Sequence, residues 1–332
     1  MLSFKPHSML YLLWALGINA AASQYNAKAL INQNSSKFGP LIEGAGVDQN
    51  GNIYAVNFGT STSLATLGQI TPNQKLFYED KATQGTAFNA IRFQKGNQTV
   101  AFAADYVNHR IVRLTVNGGT ITAKNHCSSP NILQPNDLAL SKSGLLFLSG
   151  MKWQSNGVTG DGDLWVCSAE GTPRRLDLLG RTNGIELSPD DKYLYLSEAV
   201  NQNGTPVSNK IWRYLVNPQT GDVSNKTLFF DFAQDQSQSI DIDGMRTDIA
   251  GNLFVTRNGG QKVVVISPSG QLLSIIKTTF TAPTNLEFGG PLGKTLHIVG
   301  RCGINTPGGQ GAGCVDTWEN NVPGRAWTLL QN

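Results

Sequence analysis

The chain has 332 residues, a net charge of +3 at neutral pH and 15% charged side chains, with acids and bases mixed along its length. This mixture lacks the basic stripe of a nucleic-acid-binding protein and the polybasic patch of a protein that binds anionic membranes, so neither partner is expected. The 36 glycines and 14 prolines are typical of a turn-rich β protein.

The first 23 residues differ in composition from the rest. Basic residues precede a short apolar run over residues 9–18, and small residues follow at 20–23. This order predicts a secretory signal peptide at 1–23 and a mature domain at 24–332. A membrane anchor is the alternative, but a span needs about 20 apolar residues and this run is shorter. The protein is therefore expected to be secreted.

Secretion also predicts covalent modifications. The N-x-S/T acceptors, each a candidate glycosylation site, are Asn34, Asn97, Asn203 and Asn225. An even number of cysteines in an oxidising compartment suggests disulfides, with buried free thiols as the alternative. Cys302 and Cys314 bracket a Gly-rich loop and are expected to pair, which leaves Cys127 to pair with Cys167.

One short motif recurs six times along the chain. Each copy starts with Glu, Asn or Asp, continues as a short strand, turns through Gly, Asp or Ser, and returns as a second strand. The intervals between first residues are 46, 47, 47, 60 and 42, the length of a four-stranded propeller blade. The sequence therefore predicts an all-β fold, a six-bladed β-propeller. The first residues are Glu43, Asn89, Asn136, Asn183, Asp243 and Asn285.

Segments between the motifs supply the remaining strands. Runs such as 210–217 and 262–267 are rich in β-branched and aromatic residues and are bounded by Gly, Pro and Asn. Two separate β-sandwiches are the alternative, but they leave the sixfold motif unexplained. The longest interval, within blade 4 or its connection to blade 5, predicts insertions at 200–209 and 233–242 that form a rim or lid.

The repeat also predicts where a ligand binds. The motif's first residue opens the innermost strand, and the second strand returns antiparallel to the same end, so the residues that follow it surround one mouth of the channel. We expect a small-molecule substrate there and a monomeric protein. The substrate-binding candidates are Phe58, Tyr106, His109, Lys152, Trp153 and Arg257, with packing between blades as the alternative for the aromatic ones.

The same mouth gathers carboxylates and amides from the motifs. Such a group is costly to bury without a counter-charge. Ligands that offer only oxygen suit a divalent cation, calcium first, with magnesium, manganese or zinc as alternatives. Glu43, Asn183 and Asp243 are the strongest candidates. Asn89 and Asn285 are better explained as residues that bond to the backbone where strands start.

Four stretches of the sequence resemble one family. They are similar to motifs of the regucalcin/gluconolactonase family of six-bladed propellers, also described as SMP-30/gluconolactonase/LRE-like, and the resemblance covers roughly residues 40–300. The T-N-G-x-x-x-S-P-D and D-G-M motifs are its most specific parts. The stretches are 43–44 (EG), 134–137 (QPND), 181–190 (RTNGIELSPD) and 243–245 (DGM).

That resemblance implies a cofactor and an activity. In the family a divalent cation is held by a Glu, two Asn and an Asp, and the matching residues are Glu43, Asn136, Asn183 and Asp243. Members with known activity are mostly lactone hydrolases, in which the metal polarises the carbonyl and the D-G-M aspartate, Asp243 here, helps to activate water. Asp241 is a second candidate base, with a solvated loop carboxylate as its alternative role.

One position departs from the family pattern. Gluconolactonases carry an Arg two residues before the Asn of the third motif, where it binds sugar hydroxyls, and this chain has Gln134 there. The mouth instead offers Phe58, Tyr106 and Trp153. This combination favours an apolar or aromatic cyclic substrate over a sugar lactone.

Three functions compete on this evidence. The leading hypothesis is a secreted, metal-dependent lactone hydrolase. The second is a non-hydrolytic pericyclase of secondary metabolism, because some secreted fungal relatives resemble hetero-Diels–Alderases, which act mainly by orienting the substrate. The third is a binding propeller without catalysis. A serine hydrolase is not expected, since the sequence contains no G-x-S-x-G motif.

Overall fold

A computed structural model gives the architecture of most of the chain. Most of the predicted signal peptide and the acceptor Asn97 lie outside the described residues, so both stay predictions. Asn34, Asn203 and Asn225 are exposed, as glycosylation requires, and their modification also stays a prediction. The structure describes residues 22–59, 64–81, 85–96, 98–203, 205–234, 236–303 and 311–331.

Six sheets form the blades of a β-propeller, which confirms the predicted fold. Two short strands come first, β1 (Ser23–Asn26) and β2 (Lys28–Ile31). Blade 1 contains β3 (Gly46–Val47), β4 (Ile53–Val56), β5 (Thr66–Gln69) and β6 (Lys75–Glu79). Blade 2 contains β7 (Phe88–Gln94), β8 (Thr99–Asp105), β9 (Arg110–Asn117) and β10 (Thr120–Ser128). Blade 3 contains β11 (Gln134–Leu140), β12 (Leu146–Met151), β13 (Gly162–Cys167) and β14 (Pro173–Leu179).

The second half of the ring repeats this arrangement. Blade 4 contains β15 (Arg181–Leu187), β16 (Tyr193–Gln202), β17 (Thr205–Val216) and β18 (Val223–Asp231). Blade 5 contains β19 (Asp241–Thr247), β20 (Leu253–Asn258), β21 (Lys262–Ile266) and β22 (Leu272–Lys277). Blade 6 contains β23 (Ala282–Gly289), β24 (Thr295–Cys302) and β25 (Ala312–Glu319), and the helix α1 (Arg325–Gln331) follows.

The N-terminal strands close the ring. Strand β2 pairs antiparallel with β25 and becomes the outermost strand of blade 6. Strand β1 pairs in parallel with β22, so blade 5 has five strands. Early and late segments of the described chain therefore meet in one sheet, a connection that the sixfold motif did not predict.

The core lies between neighbouring blades. Successive residues of a strand face opposite sides of its sheet, and in β20 both sides are buried. Leu253 and Val255 pack towards blade 4, whereas Phe254 packs towards blade 6. All three side chains are at most 1% exposed. This two-sided burial explains why β20 begins with three consecutive apolar residues rather than with an alternating pattern.

A β-bulge marks the start of the motif in blades 2 to 6. The register of the first two strands shifts at this point in each of these blades. The glycine that follows the first motif residue permits close contact with the next blade. A Cβ on Gly184 would lie 2.2 Å from the Asp243 carbonyl oxygen, and one on Gly244 would lie 2.4 Å from Asn285 Cγ. The Asn-Gly and Asp-Gly pairs are thus required by packing around the channel.

The long interval in blade 4 holds an extended hairpin. The ladder between β16 and β17 continues to the pair Gln202–Thr205, so the first predicted insertion is an extension of the blade at the mouth. The backbone N–H of Asn201 donates to the Asn156 carbonyl at 2.8 Å, which joins this hairpin to blade 3. The predicted rim is therefore built partly from strands.

Both predicted disulfides are present, so the alternative of free thiols is wrong for all four cysteines. Cys127 and Cys167 connect the outermost strand of blade 2 to the third strand of blade 3. Cys302 and Cys314 connect neighbouring strands of blade 6. Within the described residues, α1 is too short to cross a bilayer and no other helix has the length and apolar character to do so.

Candidate active site

Three of the four predicted metal ligands converge at one mouth of the channel. The Asn183 side chain is hydrogen-bonded to Asp243. Glu43 lies close enough for its charge to act on Asp243. Asn136, the fourth predicted ligand, is 4% exposed at the matching position of blade 3, and its backbone carbonyl accepts a hydrogen bond from Asn89 Nδ2 at 3.2 Å.

The two carboxylates of this cluster are electrostatically strained. Burial raises the pKa of Glu43 to about 7. Burial also raises the pKa of Asp243 well above its ordinary value, and the Glu43 carboxylate raises it further, against hydrogen bonds from Asn258 and Asn183. Two carboxylates in one apolar setting disfavour each other's ionised form. A positive charge between them would relieve this repulsion.

The side chains present fit a hard cation. Asn183 Oδ1 is buried and has no hydrogen-bond partner among the described residues. Buried acceptors are nearly always satisfied, so this oxygen is suited to a ligand or a cation. In the described part of the chain, no three His, Cys, Asp or Glu side chains form a metal-binding group. The candidate set combines two carboxylates with two amides, and all of these offer the oxygen atoms that calcium prefers.

One further asparagine of the repeat, Asn285, supports the cluster. Asn285 Nδ2 donates to Glu43 Oε1 at 2.9 Å and so orients this carboxylate. Asn285 Oδ1 accepts the backbone N–H of Leu286 at 2.9 Å, the strand-start bond that the sequence predicts. It also accepts Arg246 at 3.0 Å. The amide oxygen of Asn285 is thus already occupied, unlike that of Asn183.

An aromatic pair lines the mouth beside blades 2 and 3. The rings of Tyr106 and Trp153 lie 4.7 Å apart between centroids, and Trp153 is 38% exposed. Gln134, which replaces the family arginine, accepts the backbone N–H of Trp153 at 3.0 Å. Gln134 thus positions the aromatic wall, a role that the sequence did not predict.

The structure corrects the role of Arg257. Its guanidinium has no exposed area, lies 3.4 Å from the centre of the Phe232 ring, and donates to the carbonyls of Ser237 and Ile240. Arg257 therefore holds the second predicted insertion, 233–242, against blade 5 and does not face a substrate. It was predicted as a substrate-binding residue because its position near the end of the second strand of its motif is known from sequence, whereas the direction of its side chain is not.

The other substrate-binding candidates differ in what they contact. Phe58 packs edge-on against Phe38, with ring centroids 5.2 Å apart. His109 Nδ1 lies 2.6 Å from the Ile132 carbonyl oxygen. Lys152 is exposed and pairs with an aspartate of its own loop at 2.9 Å. Contact between these three residues and a substrate stays a prediction.

A half-buried ion pair flanks the cluster on blades 4 and 5. Arg181 bonds to Asp241, so this acid is not the solvated loop carboxylate of the alternative role. Burial raises the pKa of Asp241, and the Arg181 charge opposes that rise. Both residues stand two positions before a motif residue, as Gln134 does. The polar wall is thus carried by blades 4 and 5, whereas the aromatic pair lies beside blades 2 and 3.

Two partners of the cluster were missed as site residues. Asn258 Nδ2 donates to Asp243 Oδ2 at 2.7 Å. Its position after the second strand placed it at the mouth, but only the pairing of β19 with β20 brings it to the aspartate. Asp137 has no exposed area and accepts Asn285 Nδ2 at 3.3 Å, while bonding to Arg92 deeper in the channel.

These features define a class of protein, the six-bladed propellers in which carboxylates and amides gather at one mouth of the channel. Residues 85–300, more than half of the chain, match the family model described as SMP-30/Gluconolactonase/LRE-like region. The chain belongs to this family, as its motifs predicted.

Curated relatives match part of the chain. A gluconolactonase from Zymomonas mobilis is 33% identical over 176 residues, which cover 49% of this chain and 47% of that protein. A 6-deoxy-6-sulfogluconolactonase from Pseudomonas putida is 29% identical over 190 residues, which cover 55% of this chain and 61% of that protein. The matches therefore span about half of the first relative and less than two thirds of the second.

Solved structures share the fold over nearly the whole chain. Regucalcin from Agrobacterium tumefaciens, described as a calcium-binding protein, has a TM-score of 0.69 at 17% identity, and the match covers 92% of this chain and 98% of that structure. A luciferin-regenerating enzyme has a TM-score of 0.69 at 19% identity, covering 90% of this chain and 96% of its own. At such identities the likeness shows the architecture alone.

Proposed function

We propose that this protein is a metal-dependent hydrolase of lactones whose ring is joined to an apolar or aromatic body. The observation that carries the proposal is the mouth cluster, in which the unpaired Asn183 Oδ1 lies beside the mutually repelling carboxylates of Glu43 and Asp243. Membership in the family and two lactonase relatives support the reaction class. Secretion follows from the predicted signal peptide and is part of the proposal.

The residues of the cluster have separable roles. When bound, a divalent cation would act as a Lewis acid on the lactone carbonyl. Glu43, Asn136, Asn183 and Asp243 would hold it. Asp243 is also the candidate general base. Asn258 fixes one of its oxygens at 2.7 Å, which orients the carboxylate for proton transfer.

The reaction balances with water as the only co-reactant. The water oxygen adds to the carbonyl carbon while its proton passes to Asp243. The ring C–O bond then breaks, and the proton returns to the departing alkoxide. The product is a hydroxy acid, and Asp243 is regenerated. In this scheme the protein orients the lactone and the water, and Asp243 is the one group that carries the proton.

Substrate preference follows from the two walls of the mouth. Tyr106 and Trp153 offer an aromatic surface of the kind that binds an apolar body. The Arg181–Asp241 pair offers hydrogen-bonding groups near the reacting carbonyl. We therefore expect dihydrocoumarin, an aromatic lactone, to be hydrolysed with at least a tenfold higher kcat/KM than glucono-δ-lactone.

Kinetics of chelated and substituted protein test the proposal. EDTA should abolish dihydrocoumarin hydrolysis, and calcium should restore it. Asp243→Asn should lower kcat by about 100-fold or more, whereas Asp222→Asn, an exposed acid remote from the cluster, should change nothing. Trp153→Ala should raise KM for the aromatic lactone. Full activity in Asp243→Asn or in EDTA would refute metal-dependent hydrolysis.

The aromatic wall also favours a second candidate, a non-hydrolytic cyclase. The Tyr106–Trp153 pair can orient a diene and its partner by stacking, without charged groups. In that case, product formation from a reactive diene would survive both EDTA and Asp243→Asn but fall in Trp153→Ala. A metal-loaded protein that turns over neither class of compound would be the binding propeller.

A further inference from the structure

A cavity lies at the opposite end of the channel from the candidate active site. We call it the far cavity. It has a volume of about 420 Å³ and lies beneath α1, where the innermost strands of blades 2, 3 and 4 end. Its lining includes Arg92, Leu140, Glu186, Leu329 and Leu330. None of these residues belongs to the mouth cluster.

Helix α1 forms the roof of the far cavity. Its first residue, Arg325, is 3% exposed and donates to the carbonyls of Ser188 and Leu140 at 3.0 and 2.9 Å. Its last residue, Gln331, donates to the Gln49 carbonyl of blade 1 at 2.9 Å. The helix is thus tied to blades on opposite sides of the channel, and the roof is fixed at both ends.

The entrance lies between blades 2 and 3. Lys95 and Lys142 line the cavity at this side, and both are exposed. Behind them one part of the wall is apolar, formed by Phe93 and Leu140 from the blades and by Leu329 and Leu330 from the helix. A basic rim in front of apolar walls suits an amphipathic anion, because the lysines attract its charge as it approaches.

The inner wall carries an unsatisfied donor. Arg92 is 4% exposed, its Nη1 donates to the Ala45 and Ile91 carbonyls, and its Nη2 donates to Asp137. Its Nε is buried and has no hydrogen-bond partner in the described part of the chain. The Arg92 guanidinium therefore adds a fixed positive charge to the inner wall, and its Nε is not itself exposed to the cavity.

The acids of the cavity are already engaged. Glu287 accepts Arg246 at 3.0 Å, and Glu186 pairs with Arg325 at 3.3 Å. Burial also raises the pKa of Glu186 to about 8, so this side chain repels an anion little at neutral pH. The cationic groups of the lining therefore outweigh the acidic ones.

We infer that the far cavity binds a small organic monocarboxylate with an apolar body. Its carboxylate lies at the entrance beside Lys95 and Lys142, and its chain lies along Leu329 and Leu330. The site is separate from the mouth where the lactone is expected, so it does not depend on the proposed reaction. A medium-chain fatty acid such as decanoate has the required charge and shape.

Calorimetric titration of the full chain with decanoate tests the inference. We expect one saturable site. Leu329→Trp fills the cavity and should weaken binding at least tenfold, whereas Leu292→Trp, an exposed leucine 66% accessible to solvent, should leave it unchanged. Lys142→Glu should weaken binding severalfold at low salt, because it reverses a charge at the entrance.

Two comparisons make the result decisive. Decanol should bind at least tenfold more weakly than decanoate, and Asp243→Asn should bind decanoate as the wild type does. Equal binding of decanol, unchanged binding in Leu329→Trp, loss of binding in Asp243→Asn or the absence of saturable binding would each overturn the inference. Far-ultraviolet circular dichroism of each variant confirms that the propeller is folded.

Discussion

Asparagines at equivalent positions of the repeat have different roles, and the hydrogen bonds of each side-chain amide determine its role. Asn285 Oδ1 accepts a backbone N–H and an arginine. Asn89 Nδ2 donates a hydrogen bond to a backbone carbonyl of the next blade. Asn183 Oδ1 has no partner among the described residues. The oxygen of Asn183 is therefore available to a cation and that of Asn285 is not, although both are the same residue in the same motif.

Gly184 separates Asn183 from the blade that carries Asp243. We expect Gly184→Ala to lower stability by about 1–3 kcal/mol and to displace Asp243, because the new Cβ would lie 2.2 Å from that residue's carbonyl oxygen. Thermal unfolding and calcium titration measure both effects. Gly96→Ala is the control, since its Cβ would have its nearest neighbour at 3.5 Å. Equal stability of the two variants would contradict this packing account.

Buried Glu186 should make stability depend on pH. Its pKa is raised from 4.5 to about 8 by burial, so the folded protein keeps a proton that the unfolded chain releases. Stability is therefore lost as pH rises through this window, by at most about 1.4 kcal/mol per pH unit. Relative to the wild type, Glu186→Gln should gain melting temperature between pH 5 and pH 8. Exposed Glu319→Gln should show no such gain. If the melting temperatures of Glu186→Gln and the wild type changed in parallel with pH, the raised pKa of Glu186 would be refuted.

At the scale of elements, ring closure depends on the N-terminal strands unequally. Strand β2 completes blade 6, whereas β1 adds a fifth strand to a blade that already has four. A chain that starts at residue 27 should therefore melt close to the wild type, and one that starts at residue 32 should melt several degrees lower, because it leaves β25 as an open edge. Scanning calorimetry measures both. Equal losses would contradict the unequal roles.

The elements that the sequence predicted best are those with a local signature. The motif intervals predicted six blades, and the cysteine positions predicted both disulfides. The closing strands β1 and β2 were not predicted, because they are short, far from their partners along the chain and carry no motif. The sequence pattern also did not predict the β-bulges at the motif starts, because a bulge is recognised only when the residues of two paired strands are aligned.

For the whole molecule, the sequence predicted which residues gather at one mouth of the channel but not the direction of each side chain. Asp243 and Asn183 were predicted and do converge. Arg257 was predicted beside them and instead points into the loop that it supports. The far cavity was not predicted at all. It arises because α1 folds back over the channel, a packing event that no periodicity records.

The cation at the mouth is the central claim, and calcium titration of the chelated protein tests it most directly. We expect one site in the wild type, binding weakened at least 100-fold in Asn183→Ala, and binding within about threefold of the wild type in Asn89→Ala, which removes the same amide from the matching position of blade 2. No calcium binding by the wild type, or equal binding by Asn183→Ala, would contradict the account.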